Sequence, residues 1–355
     1  MTTIVHVVEA AATGTLTMVC TSANAFASAG HDVHVVYSAR PETPPDLARM
    51  FQPEVTLHLL PMNGKSSLAA IPQLRRLLSR LDPGVVHLHS SFAGFLGRAA
   101  TIGTLRGARL FYSPHCISMM RTDIGLRRYL FAALERLASI RKCTYLACSE
   151  SERSAIREWL GVEPVLIENS VEFALPEMAA AASQDKLKSV ICVGGVRLQK
   201  NPWLFAEISR ECRRRGVPCS FSWVGDGDKA LVNLLRESGV TVTGWKSKSE
   251  VGAMLADSHI YLSTSSWEGM PVSVIEAMAC GIPVVASRSA GNVDVIEHGH
   301  TGLLFDGVHE AVELVEALST GRTDTPKLVR NALRDARNRF SVQRHVEKLG
   351  AAYFS

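Results

Sequence analysis

The chain has 355 residues, which at roughly 150 residues per domain points to two domains or one large one. Its 46% hydrophobic content can fill real cores and excludes disordered and fibrous classes. The 38 Lys+Arg against 34 Asp+Glu give a net charge of +4, too mild for a dedicated nucleic-acid binder, so no nucleic-acid partner is expected. That charge is uneven. Residues 1–170 hold 17 Lys/Arg and 13 Asp/Glu, and the remainder holds 21 of each. Six of the cations (Arg121, Arg127, Arg128, Arg136, Arg141 and Lys142) fall within 121–142, beside Tyr129, Leu130 and Phe131.

The first elements read as strand, helix, strand: the β-branched TIVHVVEA, a loop ATGT, an amphipathic LTMVCTSANAFASAG closed by Gly30, and HDVHVVYS. A right-handed βαβ crossover is the expected topology. The pattern recurs through VTLHLLP, a helix around PQLRRLLSRL, the strand VVHLHS, a helix from Phe92 to about Leu105, ARLFYSPH, a helix near 125–140, and CTYLACS. Apolar strands alternating with helices imply a parallel sheet covered on both faces. The segment VEFALPEMAAAASQDKLK reads as a linker. A second alternating series follows in SVICVGG, CSFSWVGDG, VTVTGW, HIYLST and IPVVAS. The expected organisation is a Rossmann-like domain over 1–172, a linker over 173–188, a second Rossmann-like domain over 189–340, and a C-terminal helix over 341–355. Ligands of such sheets bind at the C-terminal ends of strands.

The eight cysteines form no C-x-x-C pair and sit mostly in apolar runs, which fits reduced thiols. Cys143 and Cys148 lack a matching second pair, so no zinc site is expected. No apolar run approaches the ~20 residues that span a bilayer, and MTTIVHVVEA has no basic n-region. These features lead to an expectation of a cytoplasmic protein, or one peripheral on the inner face of the cytoplasmic membrane.

Two constellations carry chemistry. In VGGVRLQKN, Gly194 and Gly195 end a strand, and Arg197 and Lys200 stand in the loop before a helix near Pro202. Exposed amides, a helix N-terminus and two cations make an anion site suited to a diphosphate; the alternative is a glycine turn with two solvated cations. In WEGMPVSVIEAMACG, Glu268 and Glu276 are separated by seven residues. With Pro271 as the first helical residue, both carboxylates could face one strand end. A carboxylate accepts from two vicinal hydroxyls, as on a ribose, and the amides of Gly269 and Met270 lie beside it. The alternative is a helix that merely carries glutamates.

Together these segments resemble the family-four retaining glycosyltransferases of the GT-B fold, in particular bacterial polysaccharide-assembly members. The likeness rests on the Glu268-x7-Glu276 pair, VTGW, SEVGAMLADSHIYLSTS, GIPVVASRSAGNVDVIEHGHTGLLFD, VGGVRLQKNP and WVGDGD, and less strongly on the N-terminal half. It implies two doubly wound α/β domains facing across a cleft, 1–172 on the acceptor side and 189–340 binding the nucleotide sugar, with the helix over 341–355 crossing back to the first. By the resemblance, Arg197 and Lys200 bind the donor diphosphate, Glu276 takes the ribose hydroxyls, and Glu268 with the amides of Gly269, Met270 and Val272 takes the sugar and phosphates. Trp245 and Lys246 border the base, Gly195 joins the donor-binding residues, Gly14 and Thr15 match a first glycine loop, and His115 in FYSPHC is the sugar-facing histidine. His87 and His89 lie on one face of their strand; His89, nearer its C-terminal end, is the better candidate for the cleft, and His87 reads as structural. Ser90, Ser91 and Arg98 are expected to shape the acceptor side. The chain departs from the family pattern at Thr15, at Cys116 where a glycine is usual, and at Met270-Pro271 where Phe-Gly is usual. Pro271 cannot donate a hydrogen bond.

The implied reaction is retaining transfer of a hexosyl or N-acetylhexosaminyl group from a nucleotide sugar, UDP by resemblance, to a hydroxyl of a glycan or lipid-linked glycan. Neither a metal nor another cofactor is expected. The competing readings are a nucleotide-sugar 2-epimerase, a glycan phosphorylase, or a non-catalytic two-domain ligand receptor. The basic stretch 121–142 reads either as a surface for anionic lipid or as a solvated helix with a core-facing Leu/Phe stripe.

Overall fold

The computed structural model describes residues 1–9, 13–40, 42–62, 67–105, 107–173 and 187–355. The chain divides into two compact units, the first comprising Met1–Asn169 with Val342–Ser355 and the second Ser170–Ser341. Residues 174–186, which hold most of the expected linker, lie outside the described residues.

The first unit is built on β1 (Thr3–Val8), β2 (Asp32–Tyr37), β3 (Thr56–Leu59), β4 (Val85–His89), β5 (Arg109–Ser113), β6 (Thr144–Ala147) and β7 (Val165–Leu166). They form one parallel sheet in the order β3-β2-β1-β4-β5-β6-β7. The order reverses between β1 and β4, so loops leaving those two strands diverge and open a crevice at their C-terminal ends. Helices α1 (Thr13–Ser28), α2 (Ser67–Leu81), α3 (Ser91–Thr101), α4 (Arg127–Ala138) and α5 (Glu150–Leu160) connect the strands. On α3 the glycines are needed for close approach: a Cβ on Gly94 would lie 2.3 Å from the Tyr112 ring, and one on Gly97 2.3 Å from Leu88.

The second unit carries β8 (Lys188–Val193), β9 (Cys219–Val224), β10 (Thr241–Val242), β11 (Ile260–Ser263), β12 (Val284–Ser287) and β13 (Leu303–Phe305), parallel in the order β10-β9-β8-β11-β12-β13. Its crevice lies between β8 and β11. Helices α6 (Pro202–Arg214), α7 (Lys229–Glu237), α8 (Lys248–Ala256), α9 (Val272–Ala279), α10 (Asn292–Val295), α11 (Val308–Ser319) and α12 (Thr325–Arg339) surround a core that includes Phe205, Trp223 and Phe305. The last helix, α13 (Val342–Phe354), belongs to the first unit. It buries His345, Leu349 and Tyr353, with the Tyr353 ring 5.2 Å from that of Phe26 on α1.

Several local readings change. Gly14 and Thr15 lie in the first turn of α1, not in a loop, because the buried stripe Leu16, Val19, Cys20 and Ala23 carries the helix back to them. Pro271 is the residue before α9, not its first helical position. The helices expected at 92–105 and 125–140 are the shorter α3 and α4, and α5 and β7 went unread. Arg98 is not an acceptor-side cation. It is 1% exposed, donates to Glu135 Oε2 at 2.7 Å, to the Tyr145 hydroxyl at 2.8 Å and to the Gly94 carbonyl at 2.8 Å, and lies over the Tyr112 ring. Burial alone would lower its pKa, but Glu135 outweighs that and the direction is upward. A buried pair so fully hydrogen-bonded is a structural element, and removing one partner of such a pair costs about 3–5 kcal/mol.

Candidate active site

In the second unit the crevice is formed by the loops after β8 and β11. The β8 loop must pass close to its neighbours: a Cβ on Gly225 would lie 2.1 Å from the Gly194 carbonyl oxygen, and Gly194 itself takes φ +143. The loop then makes a 3-10 turn over Leu198–Lys200, ended by Asn201, whose side chain caps α6 by accepting from Leu204 N. Thr264 Oγ1 donates to the Lys200 carbonyl at 2.8 Å, and Ser266 N to that of Gln199 at 2.8 Å, so the two loops are tied together.

The result is a fixed ion pair. Lys200 Nζ lies 2.8 Å from Glu268 Oε1, which also accepts from Ser265 Oγ at 2.9 Å, while Gln199 Nε2 donates to Glu268 Oε2 at 2.9 Å. Glu268 N donates to the Ala290 carbonyl, and a Cβ on Gly291 would lie 2.6 Å from Glu268 Cβ, so the glutamate is walled in on both sides. Burial pulls the Lys200 ammonium down, yet the Glu268 carboxylate, then Cys192 and Glu276, raise it further, and the lysine stays charged. An ammonium has three donors. One meets Glu268, which leaves capacity for an anion. Arg197 is exposed, its Nε about 3.0 Å from where a Gly195 Cβ would stand.

Glu276 stands on the fifth position of α9, half-buried, and burial pushes its carboxyl up to about 7 against the downward pull of Lys248 and Lys200. Met270 is buried, and at the start of α9 the amides of Val274 and Ile275 donate to the Pro271 carbonyl, which leaves those of Val272 and Ser273 without an intrahelical acceptor. Tyr261 donates to Ser273 Oγ at 2.8 Å and so pins that first turn to β11. Gly269 completes the turn between Glu268 and the buried Met270. Trp245 is 48% exposed after β10, and Lys246 pairs with Glu250 in the first turn of α8. The chain contains one Asp-x-Asp, Asp226-Gly227-Asp228. Asp228 caps α7 by accepting from Ala230 N and Leu231 N, and Asp226 accepts from Gly227 N, so both carboxylates shape a turn.

In the first unit the corresponding crevice is filled with imidazoles. His6 and His87 are register partners on β1 and β4, and His89 follows on the same face. His6 Nδ1 lies 3.0 Å from His89 Nε2, and His89 Nδ1 lies 3.0 Å from His115 Nε2. His87 instead meets the Tyr353 hydroxyl at 2.6 Å and Ser113 Oγ at 2.9 Å. His345 on α13 contacts Ser22 Oγ at 3.2 Å and the Glu168 carbonyl at 2.7 Å. Burial holds all five rings neutral: His6 falls to about 3 and His115 to about 4, with His87, His89 and His345 also lowered. His87, His89, His115 and His345 line a small cavity together with Ser22 and Asn169. The ring nitrogens of His6, His87 and His89 lie within 4.8 Å of one another, the one cluster among the described residues with metal-ligand proximity. Ser91 Oγ lies 3.5 Å from Ser118 Oγ, and Ser90, at φ 73, precedes α3.

The His115 loop is held by a residue the sequence reading passed over. The buried Glu152 carboxylate accepts from the amides of Cys116 at 2.7 Å, Ile117 at 2.8 Å and Cys148 at 2.9 Å. His115 and Cys116 take φ +56 and +105, the left-handed region that glycine tolerates best. His6, Gln199 and Ser265 also went unread; Gln199 stands inside VGGVRLQKN, and His6 lies mid-strand opposite His87.

The structure thus gathers Lys200, Glu268, Gly194 and Gly195 at one strand end, with Glu276 and Val272 on the adjoining helix, and gathers His89 and His115 in the other unit. Comparison with known proteins identifies the arrangement. A family model described as Glycosyl transferase 4-like domain matches residues 13–169, and one described as Glycosyl transferases group 1 matches 187–324. The UDP-Gal:alpha-D-GlcNAc-diphosphoundecaprenol alpha-1,3-galactosyltransferase of Escherichia coli is 28% identical over 81% of this chain and 79% of its own. A 41.2 kDa protein in the cps region of Klebsiella pneumoniae is 24% identical over 66% of this chain and 68% of its own. Among solved structures, sucrose-phosphate synthase from Thermosynechococcus elongatus gives a TM-score of 0.83 at 16% identity, covering 99% of this chain and 98% of its own. Anabaena HepE in complex with UDP-glucose gives 0.82 at 17% identity, covering 99% of each. With both units matched in order and the two-sheet architecture shared throughout, the chain belongs to the group 1 and 4-like glycosyltransferases and is a glycosyltransferase of the GT-B fold.

Proposed function

We propose that the enzyme transfers a hexosyl or N-acetylhexosaminyl group from a UDP-sugar to a hydroxyl of a lipid-linked glycan during cell-surface polysaccharide assembly, with retention of configuration and without a metal or other cofactor. The observation that carries this reading is the Lys200–Glu268 pair at the β8/β11 crevice, with exposed Arg197 and the α9 N-terminus beside it. The barrier is departure of a diphosphate, so fixed positive charge at that oxygen contributes most. Lys200, Arg197 and the Val272 amide supply it. Glu276 accepts from the ribose hydroxyls, Trp245 and Lys246 border the base, and Glu268 with the amides of Gly269 and Met270 orients the sugar. In the first unit, Gly14 and Thr15, in the first turn of α1, and His115 are assigned ligand-binding roles.

The bond from the anomeric carbon to the phosphate oxygen breaks as the acceptor oxygen attacks the same face. The acceptor proton passes to the departing phosphate oxygen. Stereochemistry is read by NMR of the first product formed. Support for the lipid-linked acceptor comes from the E. coli relative, whose name specifies a diphosphoundecaprenol substrate.

A screen of nucleotide sugars, scored for transfer, hydrolysis and thermal stabilisation, tests the donor site. A response to UDP-sugars abolished in both Lys200→Ala and Glu276→Ala is expected; no response to any nucleotide overturns the reading. Release of a free epimer or a sugar phosphate in place of transfer would select the 2-epimerase or phosphorylase alternative.

Membrane docking is part of the proposal. Phe131 packs against the core, but the leucines face outward: Leu126, just before α4, is 83% exposed, Leu130 60%, Leu137 58% and, just beyond the helix, Ile140 74%. Arg127 and Lys142 are exposed around them. No helix among the described residues is long and apolar enough to cross a membrane, so the stripe suits peripheral docking on anionic lipid, each nearby cation adding about 1 kcal/mol. Liposome sedimentation with anionic lipid should fall on charge reversal of Arg127 and Arg128 and on Leu130→Ser; unchanged binding rejects this part.

A further inference from the structure

We propose that His6 and His89 are positioning residues that hold His115 in the tautomer protonated on Nδ1, so that His115 presents a neutral hydrogen-bond donor, and no acceptor, at the end of β5. The bearing of this on transfer rests on the glycosyltransferase assignment; the tautomer itself does not.

The three rings form a wire in which each imidazole meets the next through one nitrogen, at 3.0 Å on both links. A neutral imidazole carries a single N–H, so each ring donates from one nitrogen and accepts at the other. Two patterns satisfy both links. In the first, His6 Nδ1–H donates to His89 Nε2, His89 Nδ1–H donates to His115 Nε2, and the last proton sits on His115 Nδ1. In the second every proton moves to the opposite nitrogen, which places one on His6 Nε2 and leaves His115 Nδ1 as a bare acceptor. Any mixture sets proton against proton or lone pair against lone pair.

The deep end of the wire selects between them. His6 is fully buried, and its Nε2 has no hydrogen-bond partner among the described residues. A proton there would be an orphaned buried donor, which folded proteins rarely keep, whereas an under-satisfied acceptor is less rare. The first pattern follows. His87 does not divert it, since both its ring nitrogens are occupied by Tyr353 and Ser113. The far end is fixed as well: Glu152 clamps the amides of Cys116 and Ile117, which seats the His115 ring against His89, stacked at 5.3 Å. His115 therefore takes its tautomer from a residue on β1, and a hydroxyl or phosphate oxygen is the ligand chemistry it would contact.

Ring-nitrogen NMR of histidine-labelled protein is the test. The unaltered protein should show the proton on Nδ1 of His115 and not on Nε2. His6→Leu removes the selecting end and should convert the His115 signals to a mixture of tautomers, with kcat for transfer lowered roughly tenfold, one hydrogen bond's worth, and donor KM changed less. His6→Gln, whose amide can donate to His89 Nε2, should restore the single tautomer and most of kcat. An Nε2-protonated His115 in the unaltered protein overturns the proposal, as does a His6→Leu protein whose His115 tautomer and kcat are unchanged. Stoichiometric zinc retained through purification and lost in His6→Leu would also overturn it, because His6 and His89, with His87, would then be ligands. Should a variant fail to fold, the spectrum of the unaltered protein still decides, and it does so without any activity measurement.

Discussion

The two units solve the same topological problem with opposite chemistry. Each has a parallel sheet whose order reverses once, and each places polar side chains at that reversal, between β1 and β4 in one and between β8 and β11 in the other. The second unit fills its crevice with charge, a lysine and a glutamate at 2.8 Å with an arginine beside them. The first fills it with five imidazoles that burial keeps neutral. A leaving diphosphate needs cations, and the half that offers them can keep them because each buried charge has a partner. On the function proposed above, a group that only orients a sugar needs direction without charge, which a neutral ring supplies.

The contrast predicts, first and largest, that acid separates the units. A buried histidine with a lowered pKa binds fewer protons folded than unfolded. Its contribution is therefore fully present above the unfolded value of about 6.5 and is lost as pH falls towards 3–4, at about 1.4 kcal/mol per pH unit for each such ring. Hydrogen exchange at pH 5 against pH 7 should show the sheet of the first unit opening well before that of the second; equal loss of protection would break the comparison. Next, Lys200→Ala should lower kcat by roughly 10²–10³, as expected for removing one donor from a developing oxyanion. Steady-state transfer kinetics check this, and a change confined to KM would place Lys200 in ground-state binding only.

A smaller effect is the pH dependence of UDP affinity. Glu276, raised to about 7, binds a proton in the fold that the unfolded chain has released, so its stabilisation is complete below the ordinary carboxylate range and disappears as pH rises through 7. Ribose hydroxyls require the carboxylate. Affinity measured by calorimetry should thus rise between pH 6 and 8, by at most about tenfold per unit, and Glu276→Gln should flatten the curve. The smallest effect belongs to Cys116, held at φ +105: Cys116→Gly should stabilise the protein by about 1 kcal/mol in denaturant unfolding. No gain would mean that the Glu152 clamp relieves the strain already.

Local pattern carried most of the fold. Apolar strands ending in Gly194-Gly195 or in His115, each followed by an amphipathic run, suffice to place two doubly wound sheets, whereas Glu268 and Glu276 stand out only when their spacing is joined to the motifs around them. What could not be seen is pairing across the sheet. His6 meets His89 because β1 lies beside β4, and nothing in VHVVEA or VVHLHS announces that adjacency. Glu152 looks like an ordinary first-turn glutamate of α5, and only the folded chain brings two loops to its carboxylate. Arg98 failed for the same reason: a lone arginine on an apolar helix reads as exposed until Glu135 appears opposite. The α4 stripe was read with two meanings, and burial alone decides which way it faces.

The placement of α13 governs the order in which the protein can be completed. The second unit is one continuous segment, Ser170–Ser341, set within the first. On a ribosome it has its whole sequence available while the first unit still lacks the helix that seats Tyr353 on His87 and His345 on Ser22. The second unit is thus free to mature early, and the histidine crevice closes only when α13 has emerged.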